Sequence, residues 1–147
     1  MKAGPTLAAQ DAEDLEILSA QLQDAVARVG DLVWLPKARR FAALFNRFKW
    51  EEAEKAGGAV RVRTGLNFER VMSAKSRNIR YGDPDAVLSL LAIQYAPKSA
   101  DDPAGAVDLV FSGGGEIRLD VECLEVSLSD LSDEWAARGR PIHPLEN

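Results

Sequence analysis

Residues 107–123 constrain the fold more than any other stretch of this sequence. Apolar side chains alternate with mostly polar ones on both sides of a glycine-rich turn: Val107, Leu109 and Phe111 before it, and Ile117, Leu119, Val121 and Cys123 after it. Alternation with a period of two predicts strands that bury one face. The three glycines at 113–115 predict a hairpin turn between them. The sequence therefore predicts an antiparallel hairpin within a mainly β chain.

The apolar pattern shifts by one residue directly after this hairpin. Leu124, Val126 and Leu128 become the apolar set, with Glu125 and Ser127 facing the other way. A one-residue shift moves every side chain to the opposite face of a strand. We therefore expect a bulge or a sharp bend at residues 123–124.

Several earlier segments are also predicted as strands. They lie at residues 25–29, 32–35, 60–76 and 87–95, with a bulge expected at Thr64 and Gly65 and an end expected at Pro97. Turns are expected at 36–39 and 81–84, and loops at 51–58 and 98–105.

Residues 40–50 fit two structures. The spacing of Phe41, Leu44, Phe45 and Phe48 suits a helix, and the same apolar residues suit a strand that is buried on both faces. The preceding turn at Pro36 and the aromatic content favour a strand.

Two short helices are predicted at the ends of the chain. Residues 12–23 form an amphipathic helix with Asp11 as its N-cap, Leu15, Leu18 and Leu22 as its apolar stripe, and Ile17 widening that stripe. A second helix follows Ser129 or Ser132, is anchored by Trp135, and ends at Gly139 and Pro141.

These elements predict an α+β, mainly β fold. We expect an antiparallel meander of about seven strands, forming a curved sheet or partly closed barrel, with a short N-terminal helix and a C-terminal capping helix. This order of elements resembles the pleckstrin-homology-like fold, whose members mostly bind peptides or phosphoinositides. The expected organisation is a flexible N-terminus at 1–10, a single β-rich domain at 11–140 and a flexible tail at 141–147.

Charge is distributed unevenly along the chain. Net charge is −4 over residues 1–35, +8 over 36–82 and −9 over 83–147. Basic strands could pair internally with acidic strands of the C-terminal third, or they could form a face that binds an anionic partner. The candidate partner-binding residues are Arg39, Arg40, Arg47, Lys49, Arg61, Arg63, Lys75, Arg77 and Arg80.

The residue types that carry most enzyme chemistry are scarce. The chain has one histidine, His143, and one cysteine, Cys123, so it offers neither a disulfide nor a zinc cluster, and a paired nucleophile and base is not expected. The glycines at 113–115 lack the following Lys-Ser/Thr of a phosphate-binding loop. Asp120 and Glu122 remain open as an acid–base pair on an outward strand face. We expect no catalytic residues, no cofactor and no metal.

Several short segments of this chain together resemble a known family. They are Leu22-Gln23-Asp24-Ala25-Val26, Asn46-Arg47-Phe48-Lys49-Trp50-Glu51, Arg63-Thr64-Gly65-Leu66, Val121-Glu122-Cys123-Leu124, Asp130-Leu131 and Trp135. The resemblance is to an uncharacterised alphaproteobacterial domain-of-unknown-function family, number 2948, and covers nearly the whole chain. It implies no catalytic residues.

A binding role is therefore the favoured interpretation. We expect a small cytoplasmic, non-enzymatic binding or adaptor domain that contacts a protein partner or a second copy of itself. The alternative is a nucleic-acid-binding accessory factor that uses the basic, aromatic segment 39–80. Membrane insertion is not expected, because the most apolar stretch, residues 87–96, is far shorter than the roughly 20 residues that a bilayer requires.

Overall fold

The computed structural model describes residues 6–48 and 61–131. These residues form one α-helix, α1 (Ala12–Gln21), and ten strands. In chain order the strands are β1 (Thr6–Ala9), β2 (Val26–Arg28), β3 (Leu32–Leu35), β4 (Arg40–Phe48), β5 (Arg61–Phe68), β6 (Val71–Arg77), β7 (Val87–Ser99), β8 (Asp102–Phe111), β9 (Glu116–Val121) and β10 (Val126–Asp130).

The strands form one curved antiparallel sheet. Its order is β1-β10-β5-β4-β2-β7-β8-β9-β6, with β3 lying along β4 beyond the end of β2. The terminal strands of this order, β1 and β6, do not pair with each other among the described residues, so the sheet is not closed. The predicted mainly β fold with a curved antiparallel sheet and an N-terminal helix is confirmed, and so is the strand at Arg40–Phe48.

The predicted number of strands, about seven, is wrong because two expected strands each divide and one was missed. The expected strand at 60–76 breaks at Arg70, whose φ of 59° is left-handed and cannot continue a strand. The bend expected at 123–124 is present and separates β9 from β10. At residues 6–9, within the segment expected to be flexible, β1 pairs with β10.

The two bends lie side by side, and the sheet is not the expected simple meander. Strand β5 pairs with β10, and β6 pairs with β9, instead of β5 pairing with β6. The Glu69 N–H donates to the Glu125 carbonyl, and the Glu122 N–H donates to the Arg70 carbonyl. A bulge or kink was expected at Thr64 and Gly65, and the bulge is wrong, since the β4–β5 register runs without a shift from Phe41 opposite Phe68 to Phe48 opposite Arg61.

Strands β7 and β8 are longer than predicted. The expected end at Pro97 and the expected loop at 98–105 are wrong, because pairing continues to Ser99 opposite Asp102. A register shift between Pro97 and Ser99 accommodates the proline, which has no N–H to donate to the ladder.

The core lies between the curved sheet and α1. The Asp11 carboxylate caps α1 by accepting the Asp14 N–H at 2.8 Å, and Leu15 and Leu18 are buried as predicted. The Ser19 hydroxyl accepts the Ile93 N–H at 2.9 Å, which fixes α1 on β7. The prediction that Ile17 widens the apolar stripe is wrong, since Ile17 is 55% exposed.

Some predictions concern residues outside the described part of the chain. They are the loop at 51–58, the C-terminal helix at Trp135 and the tail at 141–147. Across residues 6–48 and 61–131, none of the helical structure is long and apolar enough to cross a membrane.

Candidate functional site

At least four of the nine candidate binding residues are engaged in ion pairs within the described part of the fold. Arg39 lies 3.6 Å from Glu122, Arg40 lies 2.9 Å from Glu69, Arg47 pairs with Asp130, and Arg77 pairs with Glu116. Three of these four acids belong to the C-terminal third of the chain. For these residues the structure supports internal pairing of basic and acidic strands.

Arg47 is the most enclosed of the described candidates. Its Nε and Nη2 donate to the two carboxylate oxygens of Asp130 at 3.0 and 2.6 Å, and its Nη1 lies 3.4 Å from Gln21 Oε1. The Thr64 hydroxyl donates to the same carboxylate at 2.8 Å. Both charged side chains are at least nine-tenths buried. Arg47 therefore links β4 to β10 and is not exposed for contact with another molecule.

The remaining candidates lie apart from one another. Arg61 and Arg63 share one face of β5, and each has an interaction partner of its own. Lys75 is exposed on β6, Arg80 is exposed beyond the end of β6, and Lys49 lies outside the described residues. The eight described candidates are therefore divided among several elements and do not form one continuous basic face.

Aromatic residues of the same segment contribute to the core. Phe41 and Phe45 are 3% and 1% exposed, and the Phe41 ring packs against Phe68 at a centroid distance of 6.5 Å. Neither ring is available to stack on a nucleic-acid base. Trp50 lies outside the described residues.

An open cleft lies between β3 and β6, and we call it the β3–β6 cleft. Its volume is about 220 Å³. It is lined by Leu32, Trp34, Phe41, Ala74, Lys75, Ser76, Tyr81 and Ile117. The walls are therefore aromatic and aliphatic, and Lys75 supplies the only formal charge among these lining residues.

The cleft is bordered on one side by the backbone of β6. Three consecutive residues of β6 line the cleft, although successive side chains of a strand point to opposite faces. Only an exposed strand edge presents three residues in succession. Strand β6 pairs with β9 alone in the described sheet, so its other edge faces the cleft.

The hydrogen-bonding pattern identifies which backbone groups face the cleft. The Glu122 N–H donates to the Arg70 carbonyl, so even-numbered residues of β9 direct their backbone groups toward β6. Lys75 pairs with Arg118 and therefore bonds to β9. Its neighbours Ala74 and Ser76 consequently turn their N–H and C=O groups toward the cleft.

The opposite border of the cleft is a second unpaired edge. The Leu131 N–H donates to the Arg63 carbonyl at 2.7 Å, which directs the odd-numbered residues of β5 toward β10 and the even-numbered ones toward β4. The odd-numbered residues of β4 therefore bond to β5, and the even-numbered ones bond to β3. Their partners in β3 are Val33 and Leu35, so the backbone groups of Trp34 between them face away from β4. Both sides of the cleft thus carry backbone groups without a strand partner among the described residues.

One end of the cleft is closed. The Val71 N–H donates to the Arg39 carbonyl at 2.9 Å and joins the start of β6 to the β3–β4 turn. Beside this junction Glu69 accepts hydrogen bonds from the Asn67 amide and from Arg40 Nε. The Asn67 bond, and after it the bond and charge of Arg40, lower the pKa of Glu69 despite an opposing contribution from burial.

A wider trough of about 420 Å³ lies on the outer face of β3, β4, β5 and β10. Its floor consists largely of small side chains, such as Ala42, Ser127 and Ser129, and three of the strands beneath it, β4, β5 and β10, are paired on both edges. No aromatic side chain is among its lining residues. The β3–β6 cleft is therefore the better candidate site.

Sequence reasoning found Lys75 but missed Trp34 and Tyr81 as site residues. Trp34 lies in a short apolar run that reads as core, and Tyr81 lies in a predicted turn. Both residues line the cleft because β3 and β6 do not pair with each other. A local sequence pattern does not predict which strands pair. Over the described residues no group of three or more His, Cys, Asp or Glu side chains is placed to hold a metal ion.

Comparisons with known proteins give a family. No curated protein and no solved structure shows significant similarity to the chain. The family model of DUF2948, described as a protein of unknown function, matches residues 6–143, and the chain therefore belongs to that family.

Proposed function

We propose that this chain is a small, non-enzymatic, cytoplasmic binding domain that takes an extended segment of a partner protein into the β3–β6 cleft. The observation that carries the proposal is the second edge of β6, which has no strand partner among residues 6–48 and 61–131 and lies beside an aromatic wall. Free strand edges are templates for pairing with another chain. Strand addition of this kind draws affinity from backbone hydrogen bonds and specificity from side-chain pockets.

The size of the cleft favours a peptide over a small molecule. At about 220 Å³ it is smaller than the roughly 300–1,000 Å³ typical of small-molecule sites. It suits one or two side chains of a strand whose backbone bonds to Ala74 and Ser76. Trp34 and Tyr81 are the residue types that dominate binding energy at protein interfaces.

The ten described strands depart from the seven-strand, pleckstrin-homology-like order expected from the sequence, so that resemblance does not support the proposal. Fold alone does not determine function, so the proposal depends on the cleft. The nucleic-acid alternative has less support, because Phe41 and Phe45 are buried and four of the nine basic residues are paired.

A peptide selection tests the proposal with a defined probe. A phage-displayed library of random peptides is panned against the purified full chain, and enriched peptides are synthesised and their Kd values measured. We expect apolar, β-prone peptides whose affinity falls about tenfold or more when Trp34 is replaced by Ala. The Ile17→Ala variant is the matched control, because Ile17 is an exposed apolar residue on α1, away from the cleft.

Two results would count against this function. One is the absence of any enriched sequence, and the other is affinity that W34A leaves unchanged. A fluorescent single-stranded RNA is titrated in parallel at the same salt concentration. Tight RNA binding that is lost on reversal of Arg61 and Arg63 would favour the nucleic-acid alternative instead.

A further inference from the structure

We infer that the partner segment carries a carboxylate side chain directly opposite Lys75. This inference rests on the proposed function, since it concerns the chemistry of the segment that pairs with β6. It follows from the charges on the outer face of β6, β9 and β8, where side chains form cross-strand rows.

Most charged side chains in these rows have a complementary neighbour. Arg77 on β6 pairs with Glu116 on β9, two residues along from Lys75 in one direction. In the other direction, the Ser73 hydroxyl donates to Asp120 at 2.7 Å. The rows on either side of Lys75 are therefore satisfied within the fold.

The row of Lys75 is different. Lys75 lies directly opposite Arg118, which is a like charge. Arg118 turns to the next strand and donates to both carboxylate oxygens of Asp108, at 2.8 and 3.1 Å. This bond raises the pKa of Arg118, which stays charged. Among the described residues Lys75 has no ion-pair partner of its own.

The position of Lys75 on the edge determines where a compensating charge would come from. On the β9 side Lys75 faces Arg118, and on the cleft side it faces the place that an added strand would occupy. Because Lys75 bonds to β9, its opposite residue in an antiparallel added strand would form a non-hydrogen-bonded pair. Side chains approach most closely in such pairs. A carboxylate at that position would lie beside Lys75, as Asp108 lies beside Arg118 at the other end of the same row.

A second copy of the chain is a poorer occupant of this edge. The charged residues of β6 are Lys75 and Arg77, and both are positive. Pairing β6 with β6 of another copy would bring these cations together, and like charges directly opposite destabilise a sheet. Lysine on an edge strand is also a known means of preventing edge-to-edge association. The charge of β6 thus disfavours self-pairing and selects an acidic segment.

A charge-reversal selection tests the inference. The same random-peptide library is panned against the wild type, Lys75→Glu and Lys98→Glu, the last being an exposed lysine on β7 that matches the change in net charge. We expect the wild type and K98E to enrich Asp or Glu at one fixed position between apolar residues. We expect K75E to enrich Lys or Arg at that position.

The outcomes separate the inference from the proposed function. If the wild type and K75E enrich the same sequences, the inference is overturned and peptide binding stands. If the wild type enriches nothing, both are overturned, and Lys75 serves only to guard the edge. A second measurement does not depend on the variants: replacing the selected peptide's acidic residue by its amide should weaken wild-type binding about two- to fivefold. An unchanged Kd would also overturn the inference.

Discussion

Arg47 and Asp130 form a two-point ion pair across β5, with Nε to Oδ1 at 3.0 Å and Nη2 to Oδ2 at 2.6 Å. Strand β5 lies between the strands that carry these two residues, and its Thr64 donates to the same carboxylate. The pair thus ties three neighbouring strands together at one point. Arg47, which the sequence analysis predicted as a partner-binding residue, instead stabilises the fold.

Removing one member of this pair should be costly. Asp130→Ala removes the buried carboxylate to which Arg47 and Thr64 both donate, and we expect the free energy of unfolding to fall by about 3–5 kcal/mol. Glu125→Ala is the control, because it breaks the exposed Arg70–Glu125 pair and should cost about 0–1 kcal/mol. Urea unfolding of the two variants measures the difference. Equal losses would show that the buried pair contributes no more than a surface pair.

Gly105 is required by close packing rather than by backbone conformation. A Cβ added there would lie 2.5 Å from the Ala96 carbonyl oxygen and 2.8 Å from the Tyr95 ring. Since backbone atoms cannot move aside cheaply, Gly105→Ala should lower stability by about 1–3 kcal/mol. Gly82→Ala is the matched control, because nothing lies within 4 Å of its added Cβ. Thermal unfolding that shifts equally in both variants would refute this packing argument.

Lys75 should reduce stability in the free protein. Lys75→Glu converts the like-charge pair with Arg118 into an opposite-charge pair, and we expect a gain of about 0.2–1 kcal/mol. High salt should diminish this gain. A variant that is more stable but no longer binds acidic peptides would show that Lys75 serves binding at a cost to folding. A loss of stability on this substitution would contradict our description of the charge row.

Glu69 should make stability depend on pH at the acid end. Its pKa is lowered from 4.5 mainly by the Asn67 hydrogen bond and further by Arg40, so the folded state favours the charged carboxylate. This stabilisation is fully present above pH 4.5 and is lost as pH falls through the lower pKa of the folded state. The Tm difference between the wild type and Glu69→Gln should therefore be largest near neutral pH and shrink below pH 4.5. A difference that does not change with pH would rule out this role.

The local elements were largely predictable from the sequence, whereas their arrangement was not. The alternation around Ile117 and the cap at Asp11 report local periodicity and local hydrogen bonding, and both predictions are confirmed. The break at Arg70 was missed because arginine is not a typical residue for a left-handed backbone. This one residue redirects the chain from β5 into β6 and so creates the edge that borders the cleft.

The candidate site was less predictable than the fold. The sequence identified a basic segment, but internal ion pairs occupy Arg39, Arg40 and Arg77. Charge count along a chain does not reveal which charges meet across strands. Trp34 gave no functional signal, because its place in the cleft depends on β3 and β6 leaving their facing edges unpaired in the described part of the chain, which is a non-local feature.

The most direct test of the β3–β6 cleft is amide hydrogen exchange measured by NMR, with and without a peptide selected from the library. We expect the Ala74 and Ser76 amides to exchange more slowly when the peptide is bound, because their N–H groups gain acceptors. The Lys75 amide between them already bonds to β9 and serves as the internal reference. Protection that leaves Ala74 and Ser76 unchanged, or appears only on other strands, would contradict peptide pairing at this edge.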